Sequence, residues 1–564
     1  MIIRALTIEN FKGIREPVRV EFKPITLLFG PNSAGKSTIV QALHYARELL
    51  ERQNVDADLT LQGGEFVDLG GFENLVHGHD RDKVVRLRFD LDLSNEDLPE
   101  YITGYRQSDL LSSSEQKRHA WNLSRKVTSA WVEISVSWSE WRNRPFISRY
   151  EVGINGEKFG EINAAADSRR VWIPPYINFG HSLFPPISDP ESFEDYSRPV
   201  SEFEQLYQIV TKASQEGFVG EKTRTLASEN CEISAELVEL IVSEHEMDLV
   251  DLQSALPTWG KPLWIEESCL IDPKLHGEDQ FAEYLDEFAS ILSQLFVGPG
   301  EVLRDALRQF RYLGPIRETP PRNHKPLRSD DEARWSSGLA AWDLLYNSPT
   351  AFCQEVSDWL HKEDKLNTGY SLRMLRYKRL DMDGPLYGTL ISNDLLEEDQ
   401  AVSRQIAQLP EERQLVLVDE QRRLDVMPQD IGIGISQILP VVVASLDSRS
   451  SIVAVEQPEL HIHPGLQVSL GDLFISQIQD QDKMFLIETH SEHLLLRFLR
   501  RVRETSEDDL PPGVAPLQPE QLSVNYIDMS QRILWVRQLQ VSPEGDSLGD
   551  WPKGFFEERA GELY

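Results

Sequence analysis

Residues 25–50 read ITLLFGPNSAGKSTIVQALHYARELL, and this stretch decides the fold. Its first five residues are apolar and β-rich, as a buried parallel strand requires. Gly30-Pro31-Asn32-Ser33-Ala34-Gly35-Lys36-Ser37-Thr38 follows, and the remainder carries apolar residues at helical spacing. This is G-x-x-x-x-G-K-S set between a strand and a helix. Gly30 and Gly35 let the backbone curl so that successive N–H groups, those of Asn32, Ser33 and Ala34, face phosphate oxygens, and the helix N-terminus adds partial positive charge. Lys36 brings a point charge to the β- and γ-phosphates, the Ser37 hydroxyl can coordinate Mg2+, and Thr38 closes the loop. The reading is a nucleotide-binding loop in an α/β protein.

Such a loop works with a carboxylate on a neighbouring strand. SIVAVE at 451–456 ends four apolar residues in Glu456, followed by Gln457-Pro458-Glu459. An acid at the C-terminal end of a buried strand stands where open α/β sheets place ligand groups. MFLI at 484–487 leads into Glu488-Thr489-His490-Ser491, which makes His490 a candidate γ-phosphate sensor. Upstream, DIGIGISQILPVVVASL (430–446) pairs Gly432 and Gly434 with Ser436, read as a helix N-cap, ahead of an apolar helix. A second glycine-rich helix start is a second anion-binding device, expected to meet a nucleotide held by another copy. A tight turn into a buried helix also explains its glycines. His461 and His463 in HIHP lack a third metal ligand at recognisable spacing, and Pro464 points to a loop before a helix.

The order GPNSAGKST, DIGIGISQ, VAVEQPE, ETHSE resembles the ABC-type ATPase heads of the RecF, SMC and overcoming-lysogenization-defect group. IRALTIENFKGIREPVRVEF is similar to the two-stranded start of those heads. GPIRETPPR (314–322) and the tail WPKGFFEERAGELY resemble a bacterial AAA-family subgroup with a small C-terminal domain of unknown function. The resemblance covers roughly 1–95 and 300–564 and implies a P-loop ATPase head: a mixed sheet plus an antiparallel β subdomain, with a large, mostly helical insertion. It implies that Gly30–Thr38 are the Walker A loop, Glu456 the Walker B acid, and His490 the switch histidine. Gly434, Ser436 and Gln437 would be the signature, offered to ATP in trans. Gln62 in LQGGEF would be a Q-loop residue near Mg2+ or water, although surface glutamines are common.

One departure bears on mechanism. Many such heads place a glutamate after the Walker B acid, and Gln457 stands there instead. An amide orients water but cannot take its proton, which leaves Glu456 or Glu459 to do so, or leaves hydrolysis slow.

The chain has 564 residues, 92 acidic against 57 basic, for a net charge of −35. At about 150 residues per domain this gives three or four domains, or one large domain with insertions. With 40% hydrophobic residues there is material for large cores, and the mean field repels nucleic acid and anionic membrane over most of the surface. Cys231, Cys269 and Cys353 form no C-x-x-C pair, and no apolar run reaches the ~20 residues of a membrane span, so a cytoplasmic location is expected.

The expected organisation is an N-terminal lobe at 1–175, an acidic helical lid at 176–304, a C-terminal lobe at 305–500 and a small extension at 501–564. VVRLRFDLDL (84–93), SAWVEISVSW (129–138) and SRYEVGIN-GEKF (148–159) read as a β meander with an Asn155-Gly156 turn. Seven of the twelve tryptophans fall in 121–264 and are read as core. Only 74 residues follow His490, too few for the Toprim nuclease domain of related heads.

The leading expectation is a homodimeric, ATP- and Mg2+-dependent switch with slow hydrolysis. It would control a separate nuclease or toxin, as in the Septu, retron-associated and PARIS anti-phage modules it resembles. The alternative is a RecF-class repair ATPase gripping DNA or RNA directly. Three clusters would serve that alternative: Arg304, Arg308, Arg311, Arg317, Arg322, Lys325 and Arg328; Arg373, Arg376, Lys378 and Arg379; and Arg497, Arg500, Arg501 and Arg503.

Overall fold

The computed structural model describes residues 2–31, 34–64, 66–101, 126–164, 176–178, 181–183, 254–263, 290–322, 324–327, 331–391, 399–480, 483–530 and 533–546. These form two units, neither of which is continuous in sequence. The first comprises Met1–Thr60, Val67–Phe310 and Ser523–Gln540; the second comprises Leu61–Phe66, Arg311–Leu522 and Val541–Tyr564.

In the first unit, strands β1 (Ile3–Glu9), β2 (Val18–Glu21), β4 (Val85–Asp92), β5 (Ser129–Ser139), β6 (Arg144–Ile154), β7 (Glu157–Asn163) and β8 (Tyr176–Ile177) form one sheet. Its order is β2-β1-β4-β5-β6-β7-β8, and its pairs are antiparallel. Strand β4 shows why: Val85, Leu87, Phe89 and Leu91 are buried while Arg86, Arg88, Asp90 and Asp92 alternate outward. Asn155 and Gly156 both have positive φ, 49° and 88°, which a two-residue primed turn between β6 and β7 requires. The outer face compensates its own charge, with Arg86 on Glu9 at 2.7 Å and Lys158 on Glu151 at 2.9 Å.

The same unit holds β3 (Ile25–Phe29), buried at every residue, beside β15 (Leu522–Ser530) and β16 (Ile533–Leu539) in the order β16-β15-β3. Helix α1 (Lys36–Arg47) follows β3 and runs on into a π turn at Glu48–Arg52. Ser523–Gln540, expected within the small extension at 501–564, therefore belongs to the first unit. Ser523 Oγ donates to the Glu21 carbonyl at 3.1 Å, and Ile527 lies against Gly30. Of the expected lid, the pieces at 184–253 and 264–289 lie outside the described residues. Helix α2 (Gly298–Arg308) packs in this unit, with Tyr101 donating to Glu301 at 2.6 Å and Trp259 Nε1 donating to the Leu50 carbonyl at 2.8 Å. Trp131 is buried beneath Arg88. Among the described tryptophans of the expected core set, Trp141 is exposed, at 65%, on the β5–β6 turn.

In the second unit, β13 (Ile452–Glu456) runs parallel to β14 (Met484–Glu488), with β9 (Phe310–Leu313) on the other side of β13. The register sets Glu456 opposite Glu488, so both strands end in acid at the same level. Helices α3 (Leu339–Asn347), α4 (Thr350–His361), α5 (Ile433–Leu446), α6 (Pro464–Asp480) and α7 (Glu492–Ser506) pack around them. A separate antiparallel sheet of β10 (Tyr370–Lys378), β11 (Glu411–Asp419) and β12 (Leu424–Val426) leads into α5. No helix among the described residues is long and apolar enough to cross a membrane.

Candidate nucleotide site

The loop after β3 is shaped by two glycines that no other residue replaces. Gly30 has φ 148°, and a Cβ there would stand 2.0 Å from the Ile527 carbonyl oxygen. Gly35 has φ 95°, and its Cβ would stand 2.3 Å from Leu534 Cδ1. Both obstructions come from the β15–β16 hairpin, so the missing side chains let that hairpin close over the loop. Lys36 is buried, and its Nζ donates to the carbonyls of Gly30 at 3.1 Å and Pro31 at 2.9 Å. The ammonium is thus held inside the curl of the loop rather than pointing into solvent. Ala34 N–H donates to the Pro31 carbonyl at 3.2 Å, and Thr38 N–H to Gly35 at 3.1 Å. Ser37 lies in the first turn of α1, whose first turn contains no acid. Asn32 and Ser33 lie outside the described residues.

In the second unit the strand-end acids gather into one cluster. The Tyr312 hydroxyl on β9 hydrogen-bonds the Glu456 side chain, and burial together with that carboxylate pushes the phenol well above its ordinary range. Gln457 has φ 45°, and its N–H donates to the Glu488 carbonyl at 2.7 Å. This left-handed residue turns the chain sharply after the strand. Glu459 then folds back onto the loop after β14. It accepts from Thr489 Oγ1 and from the His490 N–H, both at 2.7 Å. Burial raises the Glu459 carboxyl, against the lowering pull of those two hydrogen bonds. Ser491 caps α7, accepting from the Leu494 N–H at 3.0 Å. The structure therefore brings Glu456, Gln457, Glu459 and His490 together, as two parallel strands in register demand.

The signature segment differs from its sequence reading in two respects. The N-cap of α5 is Gly432, with φ −61°, and Ser436 lies inside the helix with its Oγ donating back to the Ile433 carbonyl at 2.9 Å. The helix begins four residues early because Ile433-Gly434-Ile435 already adopt helical geometry. Gln437 is 4% exposed and turned inward: its Oε1 accepts from the Arg317 N–H at 3.0 Å and its Nε2 donates to the Arg317 carbonyl at 2.6 Å. What this segment offers outward is Gly432 and Ile433, the latter 58% exposed. Gly434 packs near the His461 carbonyl. Gln62 is buried in a turn of the same unit, where the positive-φ Gly64 sits against Ala333 and Ser336.

The arginine clusters are largely committed to acids. Arg308 pairs with Glu51, Arg322 with Asp430, Arg373 with Asp425, Arg379 with Glu412 and Arg501 with Asp472. Arg311 and Arg317 are buried, 6% and 2% exposed, which removes them from any surface groove. Arg317 is one of the residues that sequence reasoning misplaced. Within a run of basic residues it reads as surface, yet its Nη2 donates to the Glu456 carbonyl at 2.6 Å. Burial pushes its guanidinium down to about 10, offset in part by Glu459, Tyr312 and Glu456. Among the described residues, no group of three or more His, Cys, Asp or Glu stands together at metal-binding distances, and His461 and His463 lie in the turn and loop that precede α6.

Residues 1–100 match the family described as "AAA ATPase domain", and residues 284–497 the family described as "AAA domain, putative AbiEii toxin, Type IV TA system". A DNA replication and repair protein RecF from Chlorobium phaeobacteroides is 37% identical over 81 residues, 13% of this chain and 22% of that protein's length. Among solved structures, an SmcHead bound to the C-winged helix domain of ScpA is 10% identical with a TM-score of 0.35, covering 96% of this chain and 98% of the other. The SMC head domain from Thermotoga maritima is 8% identical with a TM-score of 0.33, covering 96% and 100%. At those scores the structural likeness carries no weight of its own.

Proposed function

We propose that the chain is an ABC/AAA-type ATPase of the RecF/SMC group that works as an ATP-dependent switch: it binds ATP with Mg2+, hydrolyses it slowly, and controls a separate effector as a homodimer. The observation that carries the reading is Lys36, folded onto the Gly30 and Pro31 carbonyls within a loop opened by two positive-φ glycines. An ammonium so placed exchanges those carbonyls for phosphate oxygens when a nucleotide arrives. Ser37 would offer Mg2+ a hard oxygen donor in the loop, Glu456 is proposed as the Walker B acid, and the ion would neutralise charge on the β- and γ-phosphates.

Slow turnover follows from the cluster at the strand ends. Gln457 orients water without accepting its proton, while Glu459 is engaged by Thr489 and His490 and Glu456 by Tyr312. A long-lived ATP state suits a clamp that signals through its dimer. A direct grip on DNA is less well supported, because most of the described arginines it needs are paired with carboxylates or buried. The toxin–antitoxin description of the second matching family favours a link to a toxic or nucleolytic effector, and with it a role in defence against phage.

The test is titration with a fluorescent ATP analogue. Lys36→Ala should weaken binding roughly tenfold to a hundredfold, from the ~1.5–3 kcal/mol of a charged hydrogen bond, with an unchanged melting profile. Affinity equal to wild type would reject the reading.

A further inference from the structure

Resting on that reading, we propose that Arg317 is a positioning residue, coupling the start of α5 to the Walker B strand end so that the helix sets the rate of ATP turnover. Two contacts lie in series. The backbone of Arg317 is clasped at both its N–H and its carbonyl by the Gln437 side-chain amide, at 3.0 and 2.6 Å. Its guanidinium ends on the carbonyl of Glu456 at 2.6 Å. These contacts join segments 120 and 139 residues apart in sequence.

The side chain is not a bland filler of volume. It is 2% exposed, and its Nε and Nη1 are buried with no hydrogen-bond partner among the described residues. A guanidinium carries five N–H donors, and stranding the three on Nε and Nη1 in the interior costs free energy that a methionine of similar length avoids. The charges facing it are Glu459, Glu456 and the Tyr312 hydroxyl, the groups nearest the expected chemistry. Gly338, at φ 77°, leaves only 3.1 Å between its missing Cβ and both Arg317 Cβ and Pro440 Cγ, which wedges the arginine against α5. A carbonyl held by a cation fixes the peptide plane at Glu456, and with it the direction of the carboxylate. When α5 shifts, Gln437 pulls the Arg317 backbone, and the carboxylate turns with it.

The experiment measures ATP-analogue affinity and single-turnover phosphate release on the full chain. It compares wild type, Arg317→Lys, Arg317→Met, Gln437→Ala and the Arg317→Met/Gln437→Ala double variant. Series coupling predicts affinity within about threefold of wild type for all of them and release slowed at least tenfold by Arg317→Met and by Gln437→Ala. The double variant should be no slower than the slower single variant, and Arg317→Lys, which keeps one charged donor, should recover part of the rate. Additive losses, or unchanged release in Arg317→Met, would overturn the coupling. If Arg317→Met does not fold, the cycle of Arg317→Lys with Gln437→Ala decides by the same criterion. Absence of ATP binding in the wild type itself would instead overturn the switch reading on which the coupling rests.

Discussion

On the proposed reading, the single side chain at Gln457 decides how long ATP persists. The residue follows Glu456 in a left-handed turn, fixed by its N–H on the Glu488 carbonyl, and a glutamate fits the same backbone at little cost. General-base catalysis contributes roughly 10²–10⁴ in rate where the base is well placed. Gln457→Glu should therefore raise steady-state phosphate release at least ~10-fold with ATP affinity unchanged. An unaltered rate would place the proton acceptor elsewhere, Glu459 being the neighbour to test next. Arg317 teaches a different lesson at this scale. In sequence it is one of seven basic residues between 304 and 328 and looks solvated. Its burial depends on partners 120 and 139 residues away, which no local pattern encodes.

Among the elements, those legible in advance are the ones whose signals are local. The β3–loop–α1 unit carries its own glycines and lysine, β4 carries period-2 alternation, and β6 and β7 are joined by an Asn-Gly turn. The order of β13 and β14, and the acids at their ends, were readable because buried parallel strands are continuous apolar runs. The N-terminus of α5 was misread because a serine after two glycines looks like a cap, while the backbone begins its helix at Ile433. The placement of β15 and β16 beside β3 was not legible, since it depends on Gly30 and Gly35 having no side chains to obstruct Ile527 and Leu534. Two glycines then separate strain from crowding. Gly156 has φ 88° and open space around it, so Gly156→Ala should cost about 1 kcal/mol. Gly338 has φ 77° and faces Arg317 and Pro440 at 3.1 Å, so Gly338→Ala should cost more, roughly 1–3 kcal/mol. Denaturant melts of the two variants check the order; equal losses would mean that the Arg317–α5 contact yields easily.

For the whole chain, a net charge of −35 coexists with sites built to hold anions. On the proposed reading, Lys36 and the backbone N–H groups of its loop hold the anion, and most clustered arginines among the described residues answer nearby carboxylates. On that same reading, a molecule so arranged gains little from a long polyanion and acts through a second copy or another protein. The direct measurement is the solution mass of the full chain by light scattering, with and without saturating ATP and Mg2+, alongside Lys36→Ala. The account predicts that ATP doubles the wild-type mass, that the doubled species persists for minutes because turnover is slow, and that Lys36→Ala stays at its nucleotide-free mass. A wild-type mass that does not change with ATP would contradict it.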